Sequence, residues 1–283
     1  MIYQPGLYIV STPIGNLYDI TLRAINTLKN STIILCEDTR ISRKLLAKHN
    51  ITAKLQLYND HSGEQDRSDI RKLIDEGAVI SLISDAGTPL ISDPGYKLIT
   101  ELKKYNYHID VVPGVSSVTT ALTISGLPSD RFLFAGFLPK TTEGKQKLFT
   151  ELSSIKATLI FFETATRLLQ TLHTAKSNLG NRTITVAREL TKLHQDVRTG
   201  TTSEIIDFYE HNILKGEIVL LISGDAPEDT REDLARNLHE MASSYLAKGW
   251  SAKTVKDVIS ENYGKIYSKK EIYSTVNKIK EQK

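Results

Sequence analysis

Short apolar runs alternate with longer amphipathic segments along the first half of this chain, and this alternation restricts the fold more than any other feature. Continuous apolar runs such as 32–36 and 78–83 are typical of strands buried on both faces of a parallel sheet. We therefore predict an α/β lobe whose parallel-rich sheet carries helices on both faces. The predicted strands are 7–10, 32–36, 55–58, 78–83 and 110–112, and the predicted helices are 22–28, 41–49, 64–76, 96–104 and 115–125.

Two further parts follow, so we predict an N-terminal lobe at 1–139, a second α/β lobe at 140–228 and a helical domain at 229–283. The polar, glycine-containing stretch 140–145 indicates a hinge between the lobes. Residues 230–283 hold no strand-like run and contain eleven Lys or Arg against seven Asp or Glu. Their lysines are candidates for contacts with the phosphates of a nucleic acid, and a solvated basic face is the alternative. Predicted elements after residue 150 are strands 157–162, 183–187 and 218–222 and helices 164–176, 202–210, 231–247, 252–262 and 269–280.

Several common classes of site are excluded by composition and motif. Cys36 is the single cysteine, so the chain forms neither an internal disulfide nor a cysteine-based zinc site. The chain has no P-loop, no Rossmann glycine fingerprint and no HExxH spacing, so we expect no catalytic metal. Residues 1–6 lack the basic start of a signal peptide and no apolar run is long enough to span a membrane, so we expect a cytoplasmic protein.

Four loops rich in polar residues and glycine follow strands of the first lobe: 11–16, 37–40, 84–95 and 113–117. The carboxyl ends of parallel strands meet at one edge of a sheet, where ligands bind in open α/β folds. Gly87 and Gly95 allow the backbone of the longest loop to approach a ligand closely. The helix that follows Pro113 could bind a carboxylate or phosphate at its N-terminus. Ordinary turn chemistry in each loop is the alternative.

These loops resemble the motifs of the tetrapyrrole-methylase superfamily, and within it the branch that acts on ribosomal RNA. The resemblance is carried by TPIGNLYDITLRA (12–24), CEDTR (36–40), SDAGTPLISDPG (84–95), VPGVSSVTTAL (112–122), FFETATRL (161–168) and RELTKLHQD (188–196). Tetrapyrrole-specific members usually show GxGxG after the first strand and GDP after the fourth, and this chain shows neither. Relatives more often have His-Glu-Glu where this chain has His194, Gln195 and Asp196, so an essential acid at position 195 is not expected.

The resemblance implies two α/β lobes that hold S-adenosylmethionine between them and methylate the ribose 2′-hydroxyl of a cytidine in small-subunit (16S) ribosomal RNA. It also implies a homodimer that acts on this RNA or on the 30S subunit. The cofactor-binding candidates are Pro13, Gly15, Ser84, Asp85, Ala86, Gly87, Thr88, Ile91, Ser116 and Ser117. The catalytic candidates are Asp38, Arg40, Glu163, Lys192 and His194, and each could instead form a structural salt bridge.

Two other functions remain open from the sequence. One is a C-methyltransferase acting on a small tetrapyrrole or corrinoid. The absence of GxGxG and the presence of the helical domain at 229–283 count against it. The other is a non-catalytic, RNA-binding assembly factor, against which the intact loops at 84–95 and 113–117 count.

Overall fold

The computed structural model describes residues 3–59, 61–212, 215–224, 231–264 and 266–281. The chain forms two compact units, Met1–Asp225 and Ala226–Lys283. The first unit holds two α/β lobes, each built on a five-stranded sheet, and the second is helical where it is described. Two α/β lobes followed by a helical segment confirm the predicted fold class. Within the described part of the chain, every helix is too short or too polar to cross a bilayer.

The first lobe has a fully parallel sheet, in agreement with the predicted parallel-rich sheet, and its strand order is β3-β2-β4-β1-β5. Side chains that alternate along β1 enter different cores: Leu7 and Ile9 pack in one cluster, and Tyr8 and Val10 in the other. Both faces of the sheet are therefore buried, which explains the continuous apolar runs. The strands are β1 (Gly6–Val10), β2 (Ile33–Cys36), β3 (Lys54–Leu57), β4 (Val79–Leu82) and β5 (Ile109–Val112). The helices are α1 (Leu22–Lys29), α2 (Thr39–Lys48), α3 (Glu64–Asp75), α4 (Tyr96–Lys104) and α5 (Ser117–Ser125).

The second lobe has a mixed sheet in the order β6-β7-β10-β8-β9. Its one parallel pair among the described strands is β6 with β7, and the other three pairs are antiparallel. The strands are β6 (Phe132–Phe137), β7 (Thr158–Thr164), β8 (Thr183–Arg188), β9 (Asp196–Thr201) and β10 (Glu217–Ile222). The helices are α6 (Thr142–Leu152), α7 (Ala165–Leu179) and α8 (Thr202–Glu210).

Two edge strands of this second sheet were not predicted. β9 is polar and partly exposed, so it lacks the apolar signal of a strand and forms because it pairs with β8. β6 is interrupted by a register shift between Phe134 and Phe137, and Gly136 adopts a φ of +72°. Because β6 pairs with β7, the second sheet begins before residue 139, and the proposed hinge at 140–145 contains the first turn of α6.

The helical unit consists of α9 (Arg231–Ala247), α10 (Ala252–Tyr263) and α11 (Lys269–Glu281), close to the three predicted helices. It has a core of its own, to which Leu238, Val255, Ile259, Ile272 and Val276 contribute. The predicted domain boundary at 228 lies outside the described residues, and the assignment of the three domains stays a prediction.

Candidate functional site

Three of the predicted loops of the first lobe are tied together by hydrogen bonds. Thr12 and Gly87 form a reciprocal backbone pair, in which the Thr12 N–H donates to the Gly87 carbonyl at 2.8 Å and the Gly87 N–H donates back at 3.0 Å. The Thr88 hydroxyl donates to the carbonyl of Val115 at 3.0 Å. The loops after β1, β4 and β5 therefore form one connected surface at the carboxyl edge of the sheet.

The loop after β2 joins the same edge through two aspartates. The Asp38 N–H donates to Asp85 Oδ1 at 3.2 Å. The Asp38 carboxylate caps α2, accepting from the Arg40 N–H at 2.8 Å and pairing with the Arg40 guanidinium at 2.6 Å. Hydrogen bonds from Arg40 lower the pKa of Asp38 to about 2, whereas burial raises the pKa of Asp85. Asp38 is a weak base at neutral pH and is suited to positioning rather than to proton removal.

A cleft of about 440 Å³ lies between these loops and the sheet of the second lobe, within the size range of small-molecule sites. Its lining holds five carboxylates and, among the described residues, no Lys, Arg or His. The described chain also brings no three metal-binding side chains together. The first lobe contributes Ile14, Glu37, Asp85, Ala86, Gly87, Thr88, Ile91, Asp93, Ser116, Ser117 and Val118 to the lining. The second contributes Phe137, Phe162, Glu163, Thr164, Ala187, Leu190, Gly216, Glu217, Ile218 and Val219.

Most of the predicted cofactor-binding residues line this cleft, namely Asp85, Ala86, Gly87, Thr88, Ile91, Ser116 and Ser117. Pro13, Gly15 and Ser84 lie outside the lining. Ser84 is buried and its hydroxyl donates to the Ala86 carbonyl at 3.3 Å. Gly15 lies where the lobes meet, because a Cβ there would come within 2.5 Å of Lys192 Cγ.

The loop 84–95 holds an unusual backbone conformation beside the cleft. Leu90 and Ser92 have φ values of +73° and +66°, and Gly87 and Gly95 have +82° and +130°. A left-handed conformation costs a residue with a Cβ roughly 1–2 kcal/mol. Such conformations persist where surrounding contacts enforce them and are concentrated at functional sites.

An apolar wall supplied by the second lobe was missed by the sequence analysis. Phe137 and Phe162 pack edge to face with ring centroids 5.1 Å apart, and Ala187, Leu190 and Val219 continue the wall. Along β10, Val219 and Leu221 belong to the cluster that includes α5, whereas Leu220 lies in the opposite core. The sequence of β10 is a continuous apolar run, which predicts a strand buried on both faces but does not reveal which face lines a cleft.

Glu163 lies on the lining and is fully buried within a charge cluster. Its carboxylate is 2.5 Å from the Arg167 guanidinium and 3.6 Å from Lys145 Nζ. It also accepts hydrogen bonds from the Thr171 hydroxyl and the Thr164 N–H, each at 2.7 Å. Burial lowers the pKa of Lys145, whose ammonium makes no hydrogen bond. These contacts hold Glu163 rigidly at the edge of the cleft.

Lys192 lies beside the cleft but is committed to two carboxylates. Its ammonium is 3.0 Å from Glu189 Oε1 and 2.7 Å from Glu217 Oε2. Burial opposes the charge, yet the hydrogen bonds that Lys192 donates to Glu217 and Glu189 prevail and raise the pKa of Lys192. His194 is exposed in the turn after β8 and is not part of the lining. Arg40 is also outside the lining, with 84% of its side chain exposed.

Comparison with known proteins agrees with this geometry. Residues 6–206 match the family described as Tetrapyrrole (Corrin/Porphyrin) Methylases. A protein of Rickettsia prowazekii named Ribosomal RNA small subunit methyltransferase I is 62% identical over 99% of both chains. A Thermotoga maritima protein of the same name is 42% identical over 77% of this chain and 98% of its own. The crystal structure of a diphthine synthase, at 12% identity, superimposes with a TM-score of 0.62 over 77% of this chain and 89% of its own, which reflects a shared fold.

Proposed function

The chain belongs to the ribosomal RNA small subunit methyltransferase I family, and on that premise we propose that it methylates the ribose 2′-hydroxyl of a cytidine in small-subunit (16S) ribosomal RNA. We propose S-adenosylmethionine as the methyl donor. The observation that carries the proposal is the 62% identity along 99% of the chain to a protein with that name. The cleft between the lobes supports it, because its lining combines backbone loops, an apolar wall and carboxylates.

The residues of the cleft fit this donor. S-adenosylmethionine carries a sulfonium and an ammonium, and carboxylates on the first-lobe side of the lining, such as Asp85, favour positively charged groups. Glu163 and Glu217 on the other side are already paired with Arg167 and Lys192. Gly87 keeps the backbone accessible because it has no side chain. A Cβ added at this position would lie 3.4 Å from Ile14 Cγ2. We assign donor binding to Asp85–Thr88, Ile91, Ser116 and Ser117, with Pro13, Gly15 and Ser84 supporting the loops.

When bound, S-adenosylmethionine supplies a methyl group on a positively charged sulfur that is already activated for transfer. The protein must then hold the ribose oxygen in line, and orientation of this kind can lower a barrier by about 7–11 kcal/mol. Asp38 and Arg40 form an ion pair at the start of α2, and Glu163 lies across the cleft on β7. We assign substrate positioning to Asp38, Arg40 and Glu163, with Lys192 and His194 nearby on the second lobe.

Transfer of a radiolabelled methyl group tests the function directly. We expect incorporation into small ribosomal subunits or protein-free small-subunit RNA, and none into a porphyrinoid. Incorporation into the porphyrinoid alone would favour a small-molecule C-methyltransferase, while no incorporation with retained RNA binding would favour a non-catalytic assembly factor. Nuclease digestion followed by mass spectrometry distinguishes a ribose methyl from a base methyl.

Single alanine variants at Asp38, Arg40, Lys192 and His194 test the catalytic assignments. Where the residue positions the substrate, its replacement by alanine should lower kcat while the affinity for S-adenosylmethionine stays at the wild-type value. A variant that methylates at the wild-type rate removes its residue from the site. His194 is the sharpest case, because it is exposed and lies outside the lining.

The partner and assembly remain part of the proposal. We place the protein in the cytoplasm because its proposed substrate is ribosomal RNA. The family resemblance implies a homodimer, and light scattering coupled to size-exclusion chromatography would give twice the 31.6 kDa chain mass if the protein is dimeric.

A further inference from the structure

The charge of the cleft raises the question of where the RNA backbone binds. Five of its lining residues are carboxylates, of which Glu163 and Glu217 are paired with Arg167 and Lys192, and the described part of the lining itself contributes no cation. Such a lining offers a phosphate no positive charge, whereas most protein contacts to nucleic acid backbones come from Lys, Arg and neutral donors. A nucleotide that reaches this cleft must therefore be held by phosphate contacts elsewhere on the protein.

Helix α2 provides cations next to the cleft. It contains Arg40, Arg43, Lys44 and Lys48 and no acidic residue. All four are exposed, and the spacing of Arg40, Lys44 and Lys48 places them in one row that is about 12 Å long. Arg40 is paired with Asp38, but Arg43 and Lys44 form no ion pair within the described chain. Their charge is directed to solvent.

This helix starts at the site itself. Glu37, two residues before α2, lines the cleft. Asp38, which caps the helix, is hydrogen-bonded through its N–H to Asp85 of the lining. A strand of RNA lying along the exposed row would therefore reach the cleft at the N-terminal end of α2.

An exposed aromatic ring borders the same row. Tyr18 is 72% exposed, and the Lys48 ammonium lies 2.7 Å from its hydroxyl and 4.3 Å from its ring centroid. The Leu17 carbonyl is 2.8 Å from His49 Nε2, which fixes the loop after β1 against the end of α2. Exposed aromatic rings beside cations are the usual stacking platforms for unpaired bases.

We propose that Tyr18, Arg43, Lys44 and Lys48, termed the α2 docking surface, bind the single-stranded ribosomal RNA segment that adjoins the target nucleotide. Lys44 and Lys48 of the row and the neighbouring Arg43 contact phosphates of one strand, and Tyr18 stacks on one unpaired base. The proposal rests on the proposed function, because it takes RNA as the substrate. It adds a defined surface for that RNA on the first lobe.

The charge contribution is tested with the triple variant Arg43→Gln, Lys44→Gln, Lys48→Gln. Binding to protein-free small-subunit ribosomal RNA is measured between about 0.05 and 0.3 M salt. Three lost phosphate contacts should make the slope of log K against log salt shallower by about 2 and weaken binding about 100-fold near 0.1 M salt. Affinity for S-adenosylmethionine, measured by calorimetry, reports whether the variant is folded.

A matched control carries the same loss of charge elsewhere on the lobe. Lys29, Lys103 and Lys104 are exposed at the ends of α1 and α4, and their triple change to Gln should leave affinity and salt slope close to wild type. Equal losses in both triple variants would indicate a general charge effect and overturn the proposal. An unchanged affinity and slope in the α2 variant would overturn it as well.

The stacking contribution is tested with two variants of one residue. Tyr18→Ala should weaken RNA binding about 5- to 100-fold with an unchanged salt slope, because stacking is not an ionic contact. Tyr18→Phe keeps the ring, loses only the hydroxyl bond to Lys48 and should bind as wild type does. Equal affinities for the Ala and Phe variants would remove Tyr18 from the surface.

Binding and methyl transfer are read separately, so that the two proposals fail in distinguishable ways. If the wild-type protein binds the RNA but transfers no methyl group to it, the proposed function fails and the binding data still decide the docking surface. If the wild-type protein methylates the RNA and the α2 triple variant binds and methylates equally well at limiting RNA, the docking surface is wrong and the function stands.

Discussion

The two sides of the cleft are built in different ways. The first lobe presents loops at the carboxyl ends of parallel strands, and its main contributions are backbone groups, hydroxyls, three carboxylates and Gly87. The second lobe presents the face of a mostly antiparallel sheet, with apolar side chains such as Phe162 and a carboxylate, Glu163, held in a buried charge cluster. The first lobe can bind a ligand through polar backbone contacts, and the apolar side chains of the second lobe shape the pocket and exclude water from it.

Helix α5 connects these two kinds of surface. Its first residues, Ser117 and Val118, line the cleft, and its body packs on the second sheet through Ala121 and Leu122. At its end, the Ser125 carbonyl accepts hydrogen bonds from hydroxyls of β8 and β9. The geometry of the loops in the first lobe therefore depends on packing against the second lobe. Variants on the loop side should lose ligand affinity, and variants on the sheet side should lose stability.

The largest effect is expected on stability, when the buried charge cluster around Glu163 in the second lobe is disrupted. Glu163→Ala leaves Lys145 buried without its carboxylate partner, and loss of one member of a buried ion pair costs about 3–5 kcal/mol of unfolding free energy. Urea denaturation measures this loss. The double variant Glu163→Ala, Lys145→Met should recover part of it, since the uncompensated ammonium is gone. If the double variant is as unstable as the sum of the single ones, the two side chains are not coupled.

The next largest effect is expected in the loop of the first lobe. Gly87→Val introduces a β-branched side chain at a φ of +82° and into the space facing the cleft, so affinity for S-adenosylmethionine should fall at least about 100-fold. Gly77→Val is the matched control, because its φ is +93° but nothing lies within 4 Å of the added Cβ. If a calorimetric titration shows that Gly87→Val binds S-adenosylmethionine as tightly as the wild-type protein does, the assignment of donor binding to this loop is wrong.

A smaller effect is expected on RNA affinity alone when the helical unit is removed. Deletion of residues 230–283 takes away eleven Lys or Arg but leaves both sides of the cleft in place. Donor affinity should be unchanged, while binding to small ribosomal subunits should weaken about tenfold and depend less steeply on salt. If the truncated protein binds small ribosomal subunits with the affinity and salt dependence of the wild-type protein, these helices have only a structural role.

The smallest effect concerns the pH profile. Because the pKa of Asp38 is about 2, the carboxylate is ionised at every pH above that value and protonates only below it. Asp38→Asn should therefore lower the rate without moving either limb of the rate profile between pH 5 and 9. A shift of the acid limb in this variant would make Asp38 a titrating base and overturn its assignment to positioning.

Features of the first lobe could be predicted because they are local. The apolar run before Ser84 and the glycines after it mark a strand and a ligand-binding loop within a few residues of sequence. The second lobe was predicted less completely. β9 carries no apolar signal, and β6 is interrupted at Gly136, so each depends on pairing with a strand that the sequence does not identify.

The sequence by itself determined the α/β class, the helical end of the chain and the loops that line the first side of the cleft, because these follow from periodicity, turn residues and motif spacing. Only the tertiary structure decided that Phe137, Phe162 and Val219 form the opposite wall and that Lys145 is buried beside Glu163. These placements depend on which face of a sheet packs against α5. Residues far apart in sequence set that packing, and no local pattern encodes it.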